Sequence, residues 1–479
     1  MSEELETPPG DVADAGEGHH EAQAESRHDA DDRLKPEFVS AVLARVAEGD
    51  DEGARDLVDP LHPADLADLF ELVDRDERRR LAAALAEKLD GEVLAEMNDW
   101  VREELIDALS PIQVAEIAGE LETDDAVAII EDLEEDEQRA VLRALDPDDR
   151  AAIEEALSFP EESAGRLMRR DVVAVPEHWR VGDVIDFLRG QDDLPTDFWE
   201  IFVVDPQHHP VGTILLSWIL RAPRTILVGD LMQREQTLIP VDMDQEEVAL
   251  RFQKYALISA AVVDQSGRLV GMITVDDVVH IIQEEASEDV LLMSGAGEEG
   301  DINQPIRDSY RARVRWLIAN LGTALVASFI IAMFGGAIEQ MVALAVLMPL
   351  VASIGGNAGT QTMAVAVRAL AMNQLTRSNS LRTVWREIRV ALLNGVTIAV
   401  LIGIGAALVF SNPMLGGVIA AAMLINIMVA GLAGVLVPVA LDRWGQDPAV
   451  ASSVFLTMIT DSMGFFAFLG LAVASGLVG

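Results

Sequence analysis

From about Pro36 to Leu157, Leu, Ala and Val recur every three or four positions with acidic turns between them. That is the period of short amphipathic helices sharing a core. The pieces P-A-D-L-A-D-L-F-E-L, S-P-I-Q-V-A-E-I-A-G-E-L and T-D-D-A-V-A-I-I-E-D-L resemble one another, and Asp or Ser-Pro opens each helix. This is helix-capping chemistry, and the repetition predicts a superhelix over residues 34–160. From 164 to about 286 the pattern becomes strand–helix–strand and is duplicated. Val203-Val204-Asp205 with Val211-Gly212-Thr213-Ile214 returns 59 residues later as Val262-Val263-Asp264 with Val270-Gly271-Met272-Ile273. Each copy reads as a strand, a polar turn, a second strand and a helix. Beyond 313 the apolar runs lengthen to five spans, about 314–334, 341–371, 389–410, 417–441 and 450–477. Each exceeds the roughly 20 residues a bilayer requires, and the second and last are long enough to tilt or break. Residues 1–33 carry almost no large apolar side chain and read as a disordered acidic tail. A solvated tail is the reading preferred there over metal binding by His19, His20 and His28.

Charge sharpens this division. Seven acidic residues against ten arginines give 301–479 a net +3, so of the overall −46, −49 lies in residues 1–300. An intensely acidic polar part repels nucleic acid and anionic lipid and attracts cations; adaptation to high salt explains the same acidity, and only three Lys occur. With no Cys there is no disulfide, thiolate metal site or cysteine nucleophile. The polar N-terminus predicts no signal peptide. Arginines 307, 311, 313 and 315 precede the first span, Arg368, Arg377, Arg382, Arg386 and Arg389 flank the connection from second to third, and Arg443 follows the fourth. The positive-inside rule places these on one side, giving a multi-pass protein of the cell (plasma or inner) membrane, N-terminus cytoplasmic and C-terminus outside.

One carboxylate carries the candidate chemistry. Asp461 is the single ionisable residue between Ala449 and Gly479, and a charge near mid-membrane is costly and points to function. Ser453, Thr457 and Asp461 follow at i, i+4 and i+8, a polar stripe on one helix face. One carboxylate with hydroxyls, amides and water suits a partly hydrated Mg²⁺; a proton relay and a packed Asp satisfied by hydroxyls are the alternatives. In the second span, Pro349 to Gln361 holds Gly355, Gly356, Asn357 and Gly359, which weakens a helix or lets helices pack closely. After the second repeat, Asp277, Glu284, Glu285 and Glu288 fall on one helix face, with Asp276 and Asp289 at its edges. Such carboxylates either hold a hard divalent cation or form a solvated face. An intramembrane aspartyl protease needs two such acids and the spans offer one, so no enzyme is expected. A secondary transporter coupled to Na⁺ or H⁺ would want further ionisable groups there.

The duplicated segment resembles a tandem pair of CBS domains, repeat 1 at 161–225 and repeat 2 at 226–276. Such pairs often sense adenine nucleotides. The whole order resembles the MgtE family of magnesium channels: an acidic helical domain, two CBS repeats, an acidic plug or connecting helix (277–312) and a five-helix transmembrane domain (313–479). The P-x-x-x-S-x-G-G-N-x-G-x-Q and D-P-A…T-D-x-x-G-F runs carry the likeness. The fold class is therefore a mainly α membrane protein with an α/β CBS pair. The resemblance implies a homodimer in the lipid bilayer that takes up Mg²⁺, or other divalent cations, through a pore closed by cytosolic Mg²⁺. It implies pore residues Asp461, Asn357, Gly355 and Gly356, beside the polar candidates Ser453, Thr457 and Gln361. It also implies gating ligands Asp277, Glu285, Glu288 and Asp289 on a plug helix, with partners Glu246 and Asp124 or Asp125. This sequence departs from the family pattern at His280, Ala256, Ser453 and Gly431.

Overall fold

The computed structural model describes residues 27–131, 133–191, 194–195, 198–297, 300, 302–375 and 379–478. Most of the expected tail, with His19 and His20, and also Arg377 lie outside the described residues. The chain divides into two compact units, 1–279 and 280–479.

The first unit opens with short helices from Pro36–Glu48 to Pro147–Ala156. Their starts are fixed chemically. Asp74 and Ser110 form capping boxes with Glu77 and Gln113, Asp90 and Asn98 accept from backbone N–H groups, and Pro occupies the first turn of the helices at 63, 111 and 147. Each cap is worth about 1 kcal/mol. Leu69, Phe70, Leu81, Leu85, Leu94, Ile129 and Ile130 are fully buried and close one core. Structure begins ahead of the expected end of the tail. Lys35 N–H donates to the Arg27 carbonyl (2.8 Å), and His28 Nε2 lies 3.2 Å from Asp65. Burial of Leu34 in the helical core ties this segment down.

Two three-stranded sheets follow. In the first, β1 (Ala174–Pro176) runs parallel to β2 (Glu200–Val204), which pairs antiparallel with β3 (Pro210–Leu215). In the second, β4 (Leu238–Pro240), β5 (Ser259–Val263) and β6 (Leu269–Thr274) repeat that pattern. Val203 opposite Gly212 and Val262 opposite Gly271 are equivalent pairs, and each sheet has a register shift beside its pair. The glycines admit a strand from outside the repeat. A Cβ at Gly271 would lie 2.7 Å from the Arg169 carbonyl, and one at Gly212 2.7 Å from that of Gln233. Arg169 thus exchanges backbone hydrogen bonds with Met272 of β6 (2.8 and 2.9 Å), and Gln233 with Thr213 of β3. The leading segment of each repeat completes the other's sheet, so a boundary at 225/226 divides the sequence repeats but not the structural halves.

A helix spans Val275–Ser294 and stops where Gly295 and Gly297 take positive φ. Within the expected connecting helix to 312, one helix stops at Ser294 and another begins at Ile306, so the apolar span expected from 314 starts inside its helix. In the second unit the helices Ile306–Met333, Val342–Ala371, Ser380–Val409, Pro413–Arg443 and Pro448–Ala474 are long and apolar enough to cross a membrane. Most outrun the apolar windows because basic and polar turns continue the helix into water; apolarity marks bilayer depth, not helix ends. The second runs unbroken through Pro349 and its glycines. The fourth packs on the second, third and fifth, and the first packs on the fifth. Small residues set these approaches, with Gly416 against Gly403, Gly434 against Gly359 and Gly431 against Ala391.

Candidate functional site

Within the second unit, the second and fifth membrane helices carry the expected pore residues. Thr457 and Asn357 are exposed, while Ser453 and Asp461 are half-buried. Thr457 Oγ1 donates to the Ser453 carbonyl (2.9 Å), and buried Thr460 Oγ1 donates to the Thr457 carbonyl (3.2 Å). A hydroxyl that donates to backbone keeps its lone pairs, so this face offers oxygen acceptors leading to one carboxylate.

Asn426, which sequence reasoning missed, sits between the second and fifth membrane helices. It is fully buried in the fourth membrane helix and donates from Nδ2 to the Val351 carbonyl (2.9 Å). Cβ atoms placed at Gly355 and Gly464 would lie 2.0 and 2.7 Å from its Nδ2. Gly355, expected to line the pore, is instead buried against this amide. Two residues on, about 200° around the helix, Asn357 is turned outward. Gly356 meets no atom within 4 Å. The one available signal was an isolated amide in an otherwise apolar fourth span. Gly355→Ala should destabilise the membrane domain by about 1–3 kcal/mol through overpacking, read as a lower unfolding temperature in detergent. Gly355→Ala with Asn426→Ala should recover part of that loss.

Gln361 lies elsewhere. With Thr362, Arg386, Glu387, Asn394 and Gly431 it lines a cavity of about 200 Å³ among the second, third and fourth membrane helices. Glu387 is 7% exposed and accepts from Arg386 at 2.5 Å. It escaped the sequence reading because it lies just ahead of the apolar window beginning at 389.

In the first unit a second constellation forms. Asp124 and Asp125 occupy the first turn of the helix Thr123–Glu131, Glu122 precedes it, and Asp276 and Asp277 begin the helix Val275–Ser294. Oxygens of Glu122, Asp124 and Asp125 lie within 4.8 Å of one another. Arg169 sits among them, Nη2 at 2.6 Å from Asp277 and 2.9 Å from Asp276, Nε at 3.4 Å from Asp124 and Nη1 on Glu122. Asp277 also accepts from Thr274 Oγ1 (2.7 Å). Burial raises the carboxyls of Glu122, Asp124 and Asp125 above the ordinary range. The Asp277 charge adds to the rise at Asp124 and Asp125, while Arg169 opposes it at all three. At Asp276 the penalty of burial is outweighed by hydrogen bonds and by Arg169, which hold it low. Asp124 Oδ1 is buried without a hydrogen-bond partner. This all-oxygen set with an orphaned acceptor fits a hard divalent cation.

Of the other expected ligands, Glu246 lies in the first turn of the helix Gln245–Tyr255 in the first unit, whose C-cap Ala256 is left-handed (φ 50°). Glu285, Glu288 and Asp289 belong to the second unit. Burial, and then the charge of nearby Asp447, raise the Asp289 carboxyl. Asp447 itself caps the fifth membrane helix by accepting from Ala449 N–H (2.8 Å).

Groups raised above their unfolded values favour the protonated form, so the cluster around Asp124 gains stability as pH falls through those raised values. Protons and a divalent ion then compete. Mg²⁺ affinity should weaken as pH falls through those raised values, by up to about tenfold per pH unit for each proton displaced. Calorimetric titration of the full chain across a pH series measures this; binding that tightens as pH falls would contradict it.

Comparison with known proteins matches residues 348–471 to the MgtE family described as divalent cation transporter, 61–162 to the MgtE intracellular N domain and 228–284 to the CBS domain. The chain is 31% identical to the magnesium transporter MgtE of Thermus thermophilus, over 92% of this chain and 98% of that protein. It is 27% identical to the one of Bacillus subtilis, over 91% and 97%. Among solved structures, the cytosolic domain of the Mg²⁺ channel MgtE in complex with ATP aligns at 30% identity and a TM-score of 0.47, covering 51% of this chain and 99% of that one.

Proposed function

The chain belongs to the MgtE family of magnesium transporters, and we propose that it is a homodimeric channel for Mg²⁺ uptake, closed by cytosolic Mg²⁺. One observation carries the permeation half: a polar strip from Ser453 through Thr457 to Asp461 on the fifth membrane helix, with Asn357 turned outward on the second. Mg²⁺ sheds water reluctantly, so hydroxyl and amide oxygens with a single carboxylate hold a hydrated ion without trapping it. Two chains facing each other would bring two such strips to one axis. The basic connections support a cytoplasmic N-terminal unit and an outward C-terminus by the positive-inside rule.

In the gating half, Asp124, Asp125 and Glu246 of the cytoplasmic domains act with Asp277, Glu285, Glu288 and Asp289 of the connecting helix. Bound Mg²⁺ screens repulsion among these acids and favours the closed packing; its loss favours the open state. The second reading, a carrier coupled to Na⁺ or H⁺, gains some support from buried Glu387. Its carboxylate is held by Arg386, however, which suits a structural ion pair better than a titrating relay.

Mg²⁺ uptake into proteoliposomes containing the purified chain tests both readings. Uptake should follow the Mg²⁺ gradient alone and fall as internal Mg²⁺ rises. A requirement for a Na⁺ or proton gradient would replace the channel with the carrier.

A further inference from the structure

Five carboxylates meet at the root of the connecting helix, and Arg169 lies among them as a cation that is part of the chain. Arg169 is held on both sides. Its backbone exchanges two hydrogen bonds with Met272 of β6, at the close approach that Gly271 permits. Its side chain is 13% exposed and forks between elements far apart in sequence, Glu122 and Asp124 at the start of one helix and Asp276 and Asp277 at the start of another. Guanidinium is always charged and planar, so it spans several acids where an ammonium would meet fewer.

We propose that Arg169 is a built-in counter-ion of the gating junction, one that keeps the helical domain docked on the root of the connecting helix in the absence of Mg²⁺. Even with the Arg102 charge acting on Asp125, five acids leave the cluster negative, and the second oxygen of Asp124 stays unpartnered, so a divalent ion still has a place. Mg²⁺ then strengthens a contact that already exists, and the ion-dependent part of gating shifts toward the acids further along the connecting helix. This deepens the proposed gating, but its test does not need transport. Flux experiments can fail while docking holds, and docking can prove ion-dependent while flux is still suppressed.

The test is hydrogen–deuterium exchange on the full-length protein in detergent, with EDTA and with saturating Mg²⁺. In the parent, amides of 122–131 and 274–279 should stay protected in EDTA. In Arg169→Gln they should exchange at least tenfold faster in EDTA and regain protection in Mg²⁺. Arg169→Lys should fall between. Exchange in β5 must match the parent, which excludes general unfolding of the sheet; if Arg169→Gln fails that control, Glu122→Gln, which removes one partner and leaves the arginine, should still speed exchange at 122–131 in EDTA. The proposal is overturned if the parent loses protection in EDTA, or if Arg169→Gln, or Glu122→Gln standing in for it, exchanges like the parent.

Discussion

Asp461→Asn should fold, assemble and carry at least 100-fold less Mg²⁺ than the parent, by roughly the following argument. Asn keeps the size and one oxygen of Asp and removes the only full negative charge between Ala449 and Gly479. Attraction between a divalent ion and a carboxylate about 4 Å away is about 8 kcal/mol at an effective dielectric of about 20. If a third of this survives desolvation, the loss is still about 100-fold in occupancy. Thr457→Val, which removes a neutral oxygen already donating to backbone, should cost only several-fold. Radiotracer or fluorescent-indicator uptake in proteoliposomes decides between these, with size-exclusion profiles confirming intact protein. Near-normal uptake by Asp461→Asn would show that the ion path lies elsewhere, and the cavity beside Glu387 would become the next place to look.

Local patterning made much of the architecture readable. The three-to-four-residue rhythm specifies helices, the 59-residue offset specifies paired sheets, and apolar length specifies membrane spans. What it left out has a common cause. The roles of Asn426, Glu387 and Arg169 are set by partners distant in sequence or beyond an apolar window. Asn426 matters because two glycines on other helices leave room for it, and nothing next to it in the chain records that. Arg169 looks like one more basic residue in the run Arg166 to Arg170 until the exchange of strands between repeats carries it to β6. Gly355 shows the converse. The motif left it open between a pore lining and a close helix approach, and sequence alone could not distinguish a wall of the pore from the seat for an amide that Asn426 makes of it.

Neutralising Asp277, Glu285 and Glu288 together, as Asn, Gln and Gln, should give uptake that internal Mg²⁺ no longer suppresses. Moving a gate from 1:99 to 99:1 takes about 5.5 kcal/mol of differential binding. No single partly solvated carboxylate supplies that, so several sites must act together, and each single variant should only raise the Mg²⁺ needed for half-suppression by several-fold. Asp277 should act in two ways. It accepts from Arg169 and from Thr274, so neutralising it weakens an ion-independent contact as well as an ion site. Asp277→Asn alone should therefore raise uptake even at zero internal Mg²⁺, besides altering the Mg²⁺ response. Uptake measured across a series of internal Mg²⁺ concentrations separates the effects. Suppression that survives in the triple variant would remove the connecting helix from the sensing mechanism while leaving the permeation argument from Asp461 untouched.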